Sequence, residues 1–156
     1  MNTSLSDYPF EPRWLSDDEQ KFWRLLLAAN NKIERTIDAS LQESEGLSSA
    51  EYAVLVCLSE APGESLRLRE LCDILGWDRS RASHQVTRME RKGLLSKHKC
   101  EKDARGICIV LEENGKRRLI RAVPEHVETV RRLVFDRLER KDQEAISNFL
   151  SAIVHA

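Results

Sequence analysis

One run of this 156-residue chain, RSRASHQVTRMER, concentrates side chains that donate and accept hydrogen bonds. It holds Arg79, Ser80, Arg81, His84, Thr87, Arg88 and Arg91, that is guanidinia, short hydroxyls and an imidazole. Such groups bind phosphate oxygens and the acceptor edges of planar heterocycles. A second set lies in the polar pentad Lys102-Asp103-Ala104-Arg105-Gly106 and just before it, at Lys97 and Lys99. A third comprises four cysteines, Cys57, Cys72, Cys100 and Cys108.

Periodicity orders the first set. At about 100° per residue, Ala82, Val86 and Met89 form an inward stripe. Ser80, His84, Thr87 and Arg91 then lie opposite, with Arg88 beside them and no carboxylate among them. Solvated helix faces usually mix Glu with Lys, so this face is better suited to double-stranded DNA, whose major groove admits a helix. In the pentad, Arg105 is planar and permanently charged and fits the narrow minor groove of A·T-rich DNA. Asp103 is wrong for a phosphate and is expected to brace Arg105 or another basic side chain, and Gly106 to permit a turn that other residues resist. Lys97, Lys99 and Lys102 supply non-specific phosphate attraction.

The elements that must position these groups follow from caps and breakers. A long helix runs from Asp17 to about Glu43. Ser48 and Glu51 form a capping box for a second helix, stopped by Pro62-Gly63. A short helix begins at Ser65 and closes at Gly76, and Asp78 caps the basic helix, which closes at Gly93. LLSKHKC and ICIVL read as two strands joined by the pentad. A long helix from about Glu113 and a last one near Asp142, with Ile146, Phe149, Leu150 and Ile153 at helical spacing, complete the chain. The fold class is mainly α: a winged helix-turn-helix, helices plus a small β-hairpin wing. Its parts are an arm over 1–16, a helical dimerisation region over 17–46 and 113–156, and a DNA-binding lobe over 47–112. The terminal helices carry broader apolar faces than the lobe covers, which points to a homodimer.

Charge agrees with this reading. The net charge is −1, yet the segment from Arg67 to Arg105 carries eleven Lys or Arg against six Asp or Glu. No apolar run approaches the ~18 residues of a membrane span, and MNTSLSDYPFEPRW lacks the basic and apolar regions of a secretory signal, so a cytoplasmic protein is expected. His84, His98, His126 and His155 are scattered, with no metal-ligand spacing, nucleophile elbow or Gly-rich phosphate loop. Neither an enzyme nor a cofactor is expected. The cysteines lack C-x-x-C spacing and read as small apolar fillers. A rival sensing mode is oxidation of Cys100 and Cys108, which stand nearly opposite across the hairpin. A winged helix used only for protein contacts is the other alternative.

At this point the sequence resembles the MarR family of multiple-antibiotic-resistance regulators. The resemblance rests on Met89-Glu90-Arg91-Lys92-Gly93-Leu94 at the end of the basic helix and on Asp103-Ala104-Arg105 in the wing. It extends over almost the whole chain. Glu112 departs from the pattern, standing where the family often has Thr to open the next helix. The resemblance implies a homodimer with interleaved first and last helices. It also implies a repressor that small aromatic acids release from DNA. Arg13 would then pair with a carboxylate, while Trp14, Trp23 and Tyr52 line the cleft.

Overall fold

In the computed structural model, residues 12–156 are described. Of the arm expected over 1–16, residues 1–11 lie outside the described residues. The chain forms two units, one up to Ile33 and one from Glu34 to Ala156. Helix α1, Asp17–Glu45, contributes to both.

In the first unit, Ser16 opens α1 with a reciprocal cap. The Glu19 N–H donates to Ser16 Oγ at 3.2 Å and the Ser16 N–H donates to Glu19 Oε2 at 2.7 Å. These bonds hold the Glu19 carboxyl below its usual range. The acidic first turn, Asp17 to Glu19, complements the helix dipole as well. Trp14, Trp23, Leu25 and Leu27 are exposed.

The second unit contains α2 (Ser49–Glu60), β1 (Ser65–Arg67), α3 (Leu68–Leu75), α4 (Arg79–Arg91), β2 (Leu95–Cys100), β3 (Asp103–Leu111), α5 (Glu113–Leu133) and α6 (Arg140–Val154). The capping box of α2 is complete. Ser48 Oγ accepts the Glu51 N–H at 3.1 Å, and Glu51 Oε2 accepts the Ser48 N–H at 2.9 Å. Asp38 on α1 accepts the neighbouring Ser49 N–H at 2.8 Å. The three strands form one antiparallel sheet in the order β1-β3-β2. Leu41, Leu55, Leu58, Leu71, Met89 and Ile109 are among the side chains that close a single core beneath it.

Two expectations are corrected here. Residues 65–67 do not begin the short helix; they form β1, which pairs Ser65 with Val110 and Arg67 with Cys108. A three-residue strand is too short to show alternation, and only the free edge of β3 makes it extended. The pentad is not all loop either, because β3 already begins at Asp103, opposite Cys100, after a register shift between Lys99 and Cys100.

The wing is anchored at its base by a close approach. The Glu112 N–H donates to Leu94 O at 3.1 Å, and a Cβ added at Gly115 would lie 2.1 Å from that same oxygen. Helix α5 can therefore seat against the wing only with glycine there. Glu112 is the N-cap residue of α5 but makes no side-chain capping bond, as its departure from the family pattern suggested. At the far end, none of the residues of α6 is buried; Ile146, Leu150 and Ile153 are all more than two-fifths exposed.

Candidate nucleic-acid interface

Helix α4 begins where Gly76 ends α3 in the left-handed region (φ 63°) and Asp78 Oδ1 accepts the Arg81 N–H at 2.8 Å. Ala82, Val86 and Met89 are fully buried, so the expected inward stripe sets the rotation of the helix. Gln85 is buried as well, and its Oε1 accepts a hydrogen bond from Arg88 Nη2 at 2.6 Å. Arg79, Ser80, Arg81, His84, Arg88 and Arg91 are exposed. Thr87 is half-buried and accepts a hydrogen bond from Lys97 Nζ at 3.1 Å. Glu90 accepts the Lys97 N–H at 2.7 Å. Lys97 thus braces α4 against β2, a role that periodicity alone does not reveal.

The end of α4 is fixed from beneath. Lys92 Nζ donates to Glu51 Oε1, and Glu51 is almost wholly buried. One carboxylate therefore caps α2 and holds the C-terminal end of the basic helix. Gly93 then takes a φ of 69° and turns the chain into β2.

At the wing, Lys99, Lys102, Asp103 and Arg105 are exposed. Asp103 Oδ1 accepts the Arg105 N–H at 3.0 Å, which braces the backbone beside the guanidinium. Gly106 does not have the positive φ of a left-handed turn. A Cβ there would meet Cys100 Sγ at 3.2 Å, so the glycine leaves room for a sulfur and does not serve to bend the chain. Nor are Cys100 and Cys108 simple fillers. They are joined by a disulfide across the wing, with their Cα atoms 5.2 Å apart.

Between wing and helices lies a hollow of about 330 Å³, lined by Arg67, Leu68, Arg69, Cys72, Arg79, Asp103, Arg105, Gly106 and Ile107. Four arginines from β1, α3, α4 and β3 converge on it. Arg67 and Arg69 were absent from the sequence-based site. Their signal was the basic surplus from Arg67 onward, but only the pairing of β1 with β3 brings them to the wing. Such a concavity suits phosphate oxygens.

The four residues expected to line an effector cleft are not brought together by the contacts within each unit. Trp14 and Trp23 share a shallow hollow of about 340 Å³ with Leu15, Gln20 and Arg24, whose lining does not include Arg13. Arg13 is exposed. Tyr52 belongs to the second unit, where its ring lies 4.4 Å from that of His126. Burial pushes the Tyr52 hydroxyl up and the His126 imidazole down, favouring the neutral form of each. His126 Nδ1 is buried with no hydrogen-bond partner among the described residues. No group of three His, Cys, Asp or Glu among the described residues is placed to hold a metal. No helix among them is long and apolar enough to cross a membrane.

The known proteins most informative for this arrangement are regulators. Residues 45–106 match the model of the MarR family. The chain is 37% identical to Sco3205, a MarR family transcriptional regulator from Streptomyces coelicolor solved in complex with DNA; the TM-score is 0.89, over 92% of this chain and 90% of that one. It is equally 37% identical to AbsC, a MarR family regulator of the same organism, with a TM-score of 0.88 over 92% of this chain and 97% of that one. PcaV, a transcriptional regulator of S. coelicolor solved with its natural ligand, is 25% identical, with a TM-score of 0.71 over 94% of this chain and 99% of that one. No curated protein sequence matches significantly. The wing, the basic face of α4 and the likeness over nine-tenths of the chain converge: this protein belongs to the MarR family of DNA-binding transcriptional regulators.

Proposed function

We propose that the protein is a cytoplasmic homodimeric repressor that binds a pseudo-palindromic operator and leaves it on binding a small aromatic acid. The observation that carries the DNA part is the convergence of Arg67, Arg69, Arg79 and Arg105 on one hollow beside the exposed face of α4. The first turns of α4 enter the major groove, where Arg81 and His84 reach base edges, with Ser80, Thr87, Arg88 and Arg91 alongside. Arg105 enters the flanking minor groove, while Lys99 and Lys102 track the backbone.

Dimerisation is supported by apolar side chains at helical spacing that the chain leaves exposed: Ile146, Leu150 and Ile153 on α6, and Trp23 and Leu27 on α1. A second copy covering them by two-fold symmetry sets two copies of α4 about one DNA turn apart, which requires a pseudo-palindrome.

The effector reading takes support from PcaV, solved with its natural ligand, and from the aromatic pair Tyr52–His126, which faces the packing between α2 and α5. Trp14, Trp23 and Arg13 are its further candidates. A ligand that prefers a half-site spacing unsuited to B-DNA lowers operator affinity by the ratio of its affinities for the two states.

The test is selection of bound duplexes from a random pool, repeated with salicylate and related phenolic acids, with sedimentation to give the oligomeric state. The expected outcome is an enriched inverted repeat, a dimer, and weaker binding with a raised melting temperature in one of the acids. A protein-only module would enrich no duplex. Operator affinity should fall steeply with salt, and Ala at Arg67, Arg69, Arg79 or Arg105 should each flatten that slope by about one unit.

A further inference from the structure

We propose that Cys100 and Cys108 form a site of reversible covalent modification: a dithiol that hydroperoxides oxidise to a disulfide, which tightens the hold of the wing on DNA. The inference rests on the wing's contact with DNA proposed above and goes beyond the aromatic-acid reading, because it concerns a different group and a different input.

Geometry carries it. The two cysteines stand on β2 and β3 with Cα atoms 5.2 Å apart, and their sulfurs are joined. Room for the bridge is made by Gly106, where any side chain would crowd Cys100 Sγ. Between them lies the whole wing tip, including Lys102, Asp103 and Arg105. The strand pairing shifts register between Lys99 and Cys100, so regular pairing stops where the bridge begins. The tip is therefore held by the bridge, by the pairing of Cys100 with Asp103 beyond the shift, and by the hydrogen bond from Arg105 N–H to Asp103.

The two cysteines also differ in a way that assigns their roles. Cys100 is buried, whereas Cys108 is partly exposed. The residues directly opposite Cys108 on its neighbouring strands are Arg67 and His98, side chains of the kind that favour a nucleophilic thiolate. By contrast Cys57 and Cys72 are single thiols. Burial first, and the neighbouring Glu60 second, push the Cys57 thiol up, which makes it a poor nucleophile.

The chemistry balances with a hydroperoxide as oxidant. Cys108 sulfur attacks the terminal peroxide oxygen; an S–O bond forms, the O–O bond breaks, and the thiol proton leaves with the alcohol. Cys100 sulfur then attacks the sulfenic sulfur; the S–S bond forms, the S–O bond breaks, and the hydroxyl departs with the second thiol proton as water. Two thiols supply the two electrons that reduce one hydroperoxide. Exchange with two equivalents of a small thiol restores the dithiol. In a reducing compartment the thiol form is the resting one, and the bridge records an oxidant.

Closing the ring removes conformations of the tip that hold Arg105 away from DNA, so less freedom is lost on binding. Affinity should rise on the order of tenfold. The experiment uses the full chain, reduced with dithiothreitol or treated with cumene hydroperoxide and freed of excess reagent. Alkylation with peptide mapping should find Cys100 and Cys108 blocked only after peroxide, with dithiothreitol reversing it. Titration of a selected duplex should show the rise in affinity for the bridged form. Cys108→Ser and Cys100→Ser should bind equally in both arms, with the affinity of the reduced protein. Should either variant misfold, the two wild-type arms alone decide. Four alkylable thiols after peroxide, or a bridge that forms without raising affinity, overturns the proposal. Absence of duplex binding in either arm counts instead against the operator reading.

Discussion

The guanidinium carbon of Arg81 lies 4.4 Å from the centroid of the Trp77 ring. Trp77 is half-buried and packs against the core, so it offers a fixed surface. Stacking engages one π face of the guanidinium and leaves its in-plane N–H donors free. The Asp78 cap holds the backbone of the same residue. Arg81 therefore stands in the first turn of α4 with little freedom left to lose, which suits the base contact proposed for it.

Arg81→Ala should lower affinity for a selected operator by roughly 10- to 100-fold, the worth of one bidentate base contact. Trp77→Leu, which keeps an apolar anchor and removes the π face, should cost about two- to fivefold. Binding to random duplex should change little in Trp77→Leu. Anisotropy titrations on both duplexes, with a melting curve for each variant, check this.

Among the glycines, Gly115 leaves the least room for a side chain. Its added Cβ would sit 2.1 Å from a backbone oxygen of Leu94, which no rotamer relieves. Gly115→Ala should destabilise the fold by about 2–3 kcal/mol through forced separation of α5 from the wing base. Thermal melting gives the loss, and an unchanged midpoint would show that α5 does not seat this way.

Glu51 links a cap to the interface. Its carboxylate accepts the Ser48 N–H and the Lys92 ammonium while almost wholly buried. Glu51→Ala should cost roughly 2 kcal/mol, about 4–8 °C in midpoint for a chain of this size. Lys92→Met should cost at least as much, since it leaves a buried carboxylate without its cation. A double-mutant cycle should return a clear coupling energy, and additive losses would dismiss the pair.

His126 predicts a pH dependence. Burial pushes its imidazole below the ordinary value, so the folded chain binds fewer protons there than the unfolded chain. The associated stability is present above the unfolded value of about 6.5 and is lost as pH falls through the interval beneath it. Melting points measured from pH 7 to 5 should fall less steeply in His126→Phe, the two curves diverging by on the order of 2 °C.

Much of the fold was legible because its signals are local. Ser48 with Glu51, Asp78 before the basic helix, and Gly76 and Gly93 after α3 and α4 are short-range devices, and each appears where its spacing implied. The stripe Ala82, Val86, Met89 determined which face of α4 turns outward, because burying those three leaves only one rotation. The cap at Ser16 and Glu19 is equally local.

What the sequence alone determined is therefore the chemistry on offer and its order along the chain: a basic helix, a charged wing and apolar terminal helices. What tertiary structure decided is which distant groups meet. Strand β1 exists only because β3 has a second edge, and that pairing carries Arg67 to the wing. Lys97 turned from a phosphate ligand into a brace because β2 lies against α4. The meaning of Gly106 depended on a sulfur arriving across the hairpin. Periodicity reports how residues i and i+4 face one another; contacts between distant segments depend on register and packing, which no local pattern encodes.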